Sequence, residues 1–283
     1  MRVALAGGVL AVSTASTFIR LAQQEAHPLA IAAWRLIIGG AVFLTAALIR
    51  RRDFYSRLSK KQAALICISG LLLAAHFGTW ITSLALTSVT ASVVIVTLYP
   101  LLAAIGSHLF LKERSGTAVW LGICTALAGS LIICMGDIRS GGHHITGDLL
   151  ALAGAVSIAG YFIIGKRVRT HIPIIEYAGL TYSSAAVFLY VTVLVSGIPM
   201  TGFSQSSWLW IGLIALIPQI TGHTLLNWSL KYMSATSVTM PILAEPVISV
   251  ILAWIFLAES PPVQAVLGGV CVLAGLYMGL RKK

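Results

Sequence analysis

The chain has 283 residues, of which 58% are hydrophobic and 10% charged, with a formal net charge of +11 and a mean hydropathy of +0.94. Soluble globular domains carry about 25% charged residues, so the composition excludes a soluble fold and points to an all-α integral membrane protein. The positive charge invites a nucleic-acid reading, which the placement of the basic residues discounts.

A membrane-spanning helix needs about 20 mostly apolar residues. Ten stretches qualify: Val3–Ile19, Leu29–Ile49, Ala63–Leu84, Ala91–Leu111, Val119–Met135, Leu149–Gly165, Tyr177–Val195, Trp208–Leu230, Ser237–Leu257 and Val263–Leu280. The connections are mostly short, which leaves one integral bundle and no soluble domain. Met1–Ser16 could pass for a signal peptide. However, "ALAG" at Ala4–Gly7 recurs at Ala151–Gly154, in the sixth stretch, which argues for a retained first span. Ten spans put both termini on one face. That face collects Arg2, the Arg50–Lys61 loop, Lys112 and Arg114, Lys166 to Arg169, Lys231 and Arg281 to Lys283. The opposite face has only Arg20 and Arg139. Positive loops stay cytoplasmic, so the expectation is a multi-pass protein of the inner (cytoplasmic) membrane with both termini inside. The four cysteines, Cys67, Cys124, Cys134 and Cys271, fall within spans without paired spacing. They read as small apolar residues rather than disulfides or metal ligands.

Shifting the chain by 146 residues aligns Ser83–Gly129 with Ser229–Gly275 without a gap. Pro100 then falls on Pro246, Glu113 on Glu259 and Gly122 on Gly268, while "AVFL" at Ala41–Leu44 recurs at Ala186–Leu189 with a one-residue slip. Chance Leu and Ala matches are expected between apolar helices; paired prolines, glutamates and glycines in one register are not. Each copy has five spans, residues 1–136 and 147–283. An odd number per copy makes the second enter the membrane upside down. Inverted repeats build alternating-access transporters, with substrate near the bilayer midplane at the repeat interface.

Two five-span repeats, a proline in the fourth and ninth spans and a glutamate closing each ("YPLLAAIGSHLFLKE", "EPVISVILAWIFLAE") resemble the EamA family of the drug/metabolite transporter superfamily, over essentially the whole chain. The resemblance implies a secondary transporter, often an exporter of amino acids, metabolites or drugs, without a bound cofactor. No Walker-type glycine loop is present, so ATP is not the expected direct energy source.

Glu245 is the only charge in the middle of its span, where a charge costs about 2.5–3.5 kcal/mol on insertion scales. At the repeat offset it superposes on Tyr99, and each residue precedes the shared proline. Pro100 and Pro246 loosen the helix and are expected to act as hinges. The expectation is that Tyr99 and Glu245 face each other across a central substrate cavity; the bland alternative is a packed, hydrogen-bonded Glu245. Gln219, His223 and Asn227, four apart, form one polar stripe on a helix and are expected to line the same cavity. His76 and Trp80 share a face of the third span, and Tyr161 lies on the sixth. Ser157, Ser13, Ser16 and Thr17 read more simply as packing contacts. Arg35 is expected to snorkel to the outer interface, within reach of Glu25, with binding of a substrate carboxylate as its second reading. "GGHHITGD" (Gly141–Asp148) reads as a polar turn rather than a metal site. Lys112, Glu113, Arg114 and Glu259 read as structural charges at span ends.

The sequence therefore predicts a non-enzymatic secondary transporter that moves a small molecule, with protons as a possible coupling partner, and exports it by alternating access. An uptake carrier or facilitative exchanger is the alternative. An intramembrane enzyme is disfavoured because Asp53, Asp137 and Asp148 lie in loops or at span ends and no nucleophile motif accompanies His76 or His223.

Overall fold

A computed structural model describes residues 1–50, 58–138, 145–257, 261 and 263–281. Arg52, Arg139, His143, His144 and Glu259 lie outside the described residues. Within them the chain is helical, with ten helices long and apolar enough to cross a membrane. They are α1 (Arg2–Ala22), α2 (Pro28–Arg50), α3 (Lys60–Leu86), α4 (Val89–Leu111), α5 (Thr117–Met135), α6 (Ile145–Arg169), α7 (Ile174–Val195), α8 (Gln205–Ser229), α9 (Ala235–Phe256) and α10 (Val263–Leu280). Each coincides with one predicted stretch to within a few residues.

Several starts are set by serine N-caps, whose side-chain oxygens accept orphan backbone N–H groups. Ser59 opens α3 with a capping box closed by Gln62. Ser88 accepts from Ala91 N at the start of α4, Ser204 from Ser207 N at α8 and Ser234 from Ser237 N at α9. Ser88 and Ser234 are one repeat offset apart. Glu113, at the end of α4, accepts from Ala235 N at 3.1 Å and lies 4.0 Å from Lys166 Nζ. Lys166 in turn donates to Leu230 O and Met233 O. These charges tie α4, α6 and the α8–α9 turn together at one membrane face.

Small residues bring the helices close, as expected where lipid is as apolar as the protein. The α5–α10 pair touches backbone to backbone: a Cβ on Gly122 would lie 2.5 Å from Gly275 O, and one on Gly129 would lie 2.5 Å from Gly268 O. The contact order reverses along the chain, so the two helices run antiparallel. It also exchanges the pairs that the offset equates, since Gly122 matches Gly268 and Gly129 matches Gly275. Likewise α6 packs on α3 with Gly154 against Thr79, Trp80 and the His76 carbonyl, while α1 packs on α8 with Gly8 against Leu225, Leu226 and the Gly222 carbonyl. All four correspondences are 146 residues. The "ALAG" match, which aligned Gly7 with Gly154, is thus one residue out of register; Gly8 is the structural counterpart.

Candidate functional site

Four spans depart from regular helix near their middle, α1 at the single residue Thr14 and three others over longer stretches. In α4 the α-helix stops at Val96 and restarts at Tyr99, with Pro100 in its first turn. In α9 a 3-10 segment, Met240–Ala244, precedes the α-helix that begins at Glu245. The two breaks lie at the same 146-residue offset as the prolines, each placing the loosened turn ahead of its proline. In α8, Pro218 lies within a π-helical stretch, Ala215–His223, which presents Gln219 and His223. Irregular backbone at this depth is tolerated where protein or a cavity satisfies it.

A cavity sits at these breaks. Its polar lining is His76 and Trp80 from α3, Tyr99 from α4, His223 from α8 and Glu245 from α9; α1, α4, α6 and α8 supply apolar walls. Its free volume is only about 30 Å³, room for one or two waters. Glu245 is 5% exposed and, among the described residues, has no hydrogen-bond or ion-pair partner. His76 Nδ1 lies 3.0 Å from Gly154 O; a carbonyl only accepts, so the proton sits on Nδ1. Trp80 stacks on His76 at 5.6 Å, and its indole Nε1 is buried without a partner. Tyr99 stacks on Phe162 at 5.7 Å.

The polar stripe on α8 is buried throughout but splits in function. His223 reaches the cavity. Gln219 instead accepts from Arg35 Nε at 3.0 Å. Asn227 Nδ2 donates to the Tyr161 hydroxyl at 2.5 Å and to His223 O at 2.7 Å. Tyr161 also sits edge-on to Phe162 and does not line the cavity. Of the small hydroxyls, Ser13 bonds back to Val9 O and Ser157 to Ala153 O, while Ser16 meets Ser249 across α1 and α9 at 3.3 Å.

Arg35 departs from its sequence expectation. It does not snorkel: it is 0% exposed, with Cζ 3.7 Å from the Phe77 ring centroid. Its neighbour Trp34 takes the outward course, donating to Met200 O at 2.8 Å. Glu25 binds the N-terminus of α8 instead, accepting from Ser204 N and Ser207 Oγ at 3.0 and 2.9 Å. Hydrogen bonds from Ser204 and Ser207 hold its carboxyl below the usual carboxylate range. The signal for a buried Arg35 was its depth. Seven residues beyond Pro28 is about 10 Å of helix, too far for a charge that merely flanks the span. Pro218, directly before Gln219, was the corresponding signal for the irregular turn in α8.

Ten helices long and apolar enough to cross a membrane, packed around a small polar cavity, define a multi-pass membrane protein. The EamA-like transporter family model matches residues 3–135 and again 145–281, and the chain belongs to this family. It is 27% identical to the uncharacterized transporter YdfC of Bacillus subtilis (strain 168), over 93% of this chain and 86% of that one. It is 28% identical to the uncharacterized transporter YwfM of the same organism, over 94% and 88%. A "Probable terminal-alkyne amino-acid exporter" of Streptantibioticus cattleyicolor is 26% identical, over 68% of this chain and 64% of that one. A solved crystal structure superposes with a TM-score of 0.80, covering 98% of this chain and 94% of that one at 21% identity; at that identity the likeness concerns the fold.

Proposed function

We propose that the protein is a secondary active transporter that exports a small organic molecule across the cytoplasmic membrane by alternating access. The two five-helix halves, 1–136 and 147–283, act as inverted repeats with both termini in the cytoplasm. The single observation that carries this is the meeting of Tyr99 and Glu245, equivalent residues of the two halves, in one buried cavity beside two equivalent helix breaks. A pseudo-twofold arrangement of this kind supplies two mirror-related states, each open to one side. The antiparallel α5–α10 contact supports the inversion, and the basic residues of one face support the orientation. An amino-acid-like or metabolite substrate fits the resemblance to a named exporter, and the aromatic lining of Trp80 and Tyr99 suits organic solutes. The cavity binds substrate through Glu245, Tyr99, His76, Trp80 and His223, with Gln219, Asn227 and Tyr161 as its supporting shell. Protons are the proposed coupling ion.

Purified protein screened by thermal shift against a metabolite library, followed by liposome flux of each hit, tests the proposal. Saturable uptake that accelerates on counter-exchange is the expected result, and the gradient that drives it reports direction. Conversion of a solute without movement, or non-saturating flux, would exclude a carrier.

Because both helix breaks precede a proline, Pro100→Ala and Pro246→Ala are expected to restore helix and bias the two states. A shift of about 1.4 kcal/mol changes their ratio tenfold. Maximal transport should fall by roughly that factor while substrate affinity changes less. Wild-type rates in both variants, measured in the same liposomes, would reduce the prolines to tolerated kinks.

A further inference from the structure

Among the described residues the Arg35 guanidinium is an anomalous group. It is fully buried a third of the way into a membrane helix. Among the described residues only the Nε donor of its five N–H groups is used, to Gln219 Oε1; Nη1 and Nη2 are both buried with no partner there. The Phe77 ring covers the plane of the group at 3.7 Å, a favourable cation–π contact that satisfies no donor. Charged side chains kept for stability inside a membrane are paired or reach water. This one does neither.

Its surroundings are short of acceptors. Gln219 Nε2 and His223 Nδ1 are likewise buried without partners. Phe77, which stacks on the guanidinium, makes an edge contact with His223 at 5.2 Å and lies 4.8 Å from the His76 ring. His76 and His223 line the central cavity. The unused fork of Arg35 therefore stands one aromatic ring behind the cavity wall. Glu245 lines the same cavity as His76 and His223, but it forms no ion pair with Arg35 among the described residues.

We propose that the Nη edge of Arg35 is the seat for a carboxylate on the transported molecule, reached when the wall of Phe77, His76 and His223 moves aside as the cavity opens. The planar fork of two parallel N–H donors matches a carboxylate bidentately, which a lysine ammonium cannot reproduce. Gln219 holds the guanidinium through Nε and leaves the opposite edge free, so it is a positioning residue. The cavity of about 30 Å³ holds no organic acid as it stands, so seating one and opening the cavity are the same event. This inference rests on the transporter reading and narrows its substrate to organic acids or molecules that carry a carboxylate.

The test compares the wild-type chain with Arg35→Met, Arg35→Lys and Gln219→Leu, purified in detergent. The ligands are matched pairs: four- to ten-carbon aliphatic and aromatic carboxylates, each beside its primary amide, at millimolar concentration. Carboxylates should bind the wild type at least about tenfold more tightly than their amides. Arg35→Met should lose that preference, and Arg35→Lys should retain only part of it. Without ligand, Arg35→Met should unfold at or above the wild-type temperature, because it removes an unpaired buried charge and keeps the volume. A structural arginine predicts the opposite, and a fall of more than about 5 °C in Arg35→Met would overturn the proposal. So would equal binding of carboxylate and amide, or the absence of any carboxylate binding across the panel. Rescue of Arg35→Met transport by Glu245→Gln would also overturn it, since the partner would then be the protein's own carboxylate. Liposome flux separates this inference from the reading beneath it. Arg35-dependent binding without flux leaves the seat standing and removes the transporter; saturable flux of solutes that lack a carboxylate, unchanged in Arg35→Met, does the reverse.

Discussion

Glu245→Gln is expected to express and unfold like the wild type while losing transport driven by a pH gradient. The substitution keeps shape and hydrogen-bonding capacity and removes only the ability to titrate. A carboxyl group retained to lock helices together would show a partner, because a buried polar group without one is costly. Glu245 shows none among the described residues, and it lines the cavity with Tyr99, His76, Trp80 and His223. If the group exchanges a proton with each side in turn, gradient-driven accumulation in liposomes should fall at least about tenfold in Glu245→Gln, a loss of about 1.4 kcal/mol of coupling. Downhill exchange of the same substrate should persist to a greater degree. Glu245→Asp should be partly active, since its charge stands one methylene back. Full, pH-responsive accumulation by Glu245→Gln would make the residue structural and remove protons from the mechanism.

The spans were legible because a run of about 20 apolar residues is a strong, local signal. The repeat reading rests on Pro100 with Pro246 and Gly122 with Gly268, rare residues in one register. Tyr99 and Glu245 could be brought together from sequence for the same reason: the offset, not their own chemistry, made them equivalent. What was lost lies in side-chain direction, which depends on the neighbouring helix. Gln219, His223 and Asn227 share a stripe, yet the π-helical turn at Pro218 and three different neighbours send them to Arg35, to the cavity and to Tyr161. Trp34 and Arg35 are adjacent, so a helix turns them about 100° apart; the depth of Arg35 argued against a flanking charge, but only the packing of α2 against α3 and α8 decides which of the two faces outward. The "ALAG" coincidence shows the converse hazard. A four-residue match among small apolar residues was strong enough to suggest a register, but too short to resist a one-residue slip that the Gly8 and Gly154 contacts remove.

The largest effect on folding is expected at the crossing of α5 and α10. A Cβ placed on Gly129 meets Gly268 O at 2.5 Å and Val272 N at 2.7 Å; one on Gly275 meets Gly122 O at 2.5 Å and Ala126 N at 2.6 Å. These obstacles are backbone atoms, so no rotamer change relieves them and the helices must separate. Overpacking of a well-filled core costs about 1–3 kcal/mol even where side chains can shift. Gly129→Val and Gly275→Val should therefore exceed that range, lowering the unfolding temperature by about 10 °C or more or abolishing insertion of folded protein. Gly269 provides the control on the same helix, because its nearest neighbour is Val247 at 3.7 Å, ordinary van der Waals contact. Gly269→Ala should be nearly neutral and gain slightly from helix propensity. The symmetry adds a sharper expectation: Gly122 and Gly275 touch each other, as do Gly129 and Gly268, so Gly122→Val with Gly275→Val should cost less than the sum of its single variants. Once the helices have parted for the first side chain, the second meets a gap already open. Gly122→Val with Gly268→Val, which are offset equivalents at different contacts, should be closer to additive. Equal additivity in both pairs, measured by thermal unfolding in one detergent, would mean that the four glycines do not form two exchanged contacts across an antiparallel crossing.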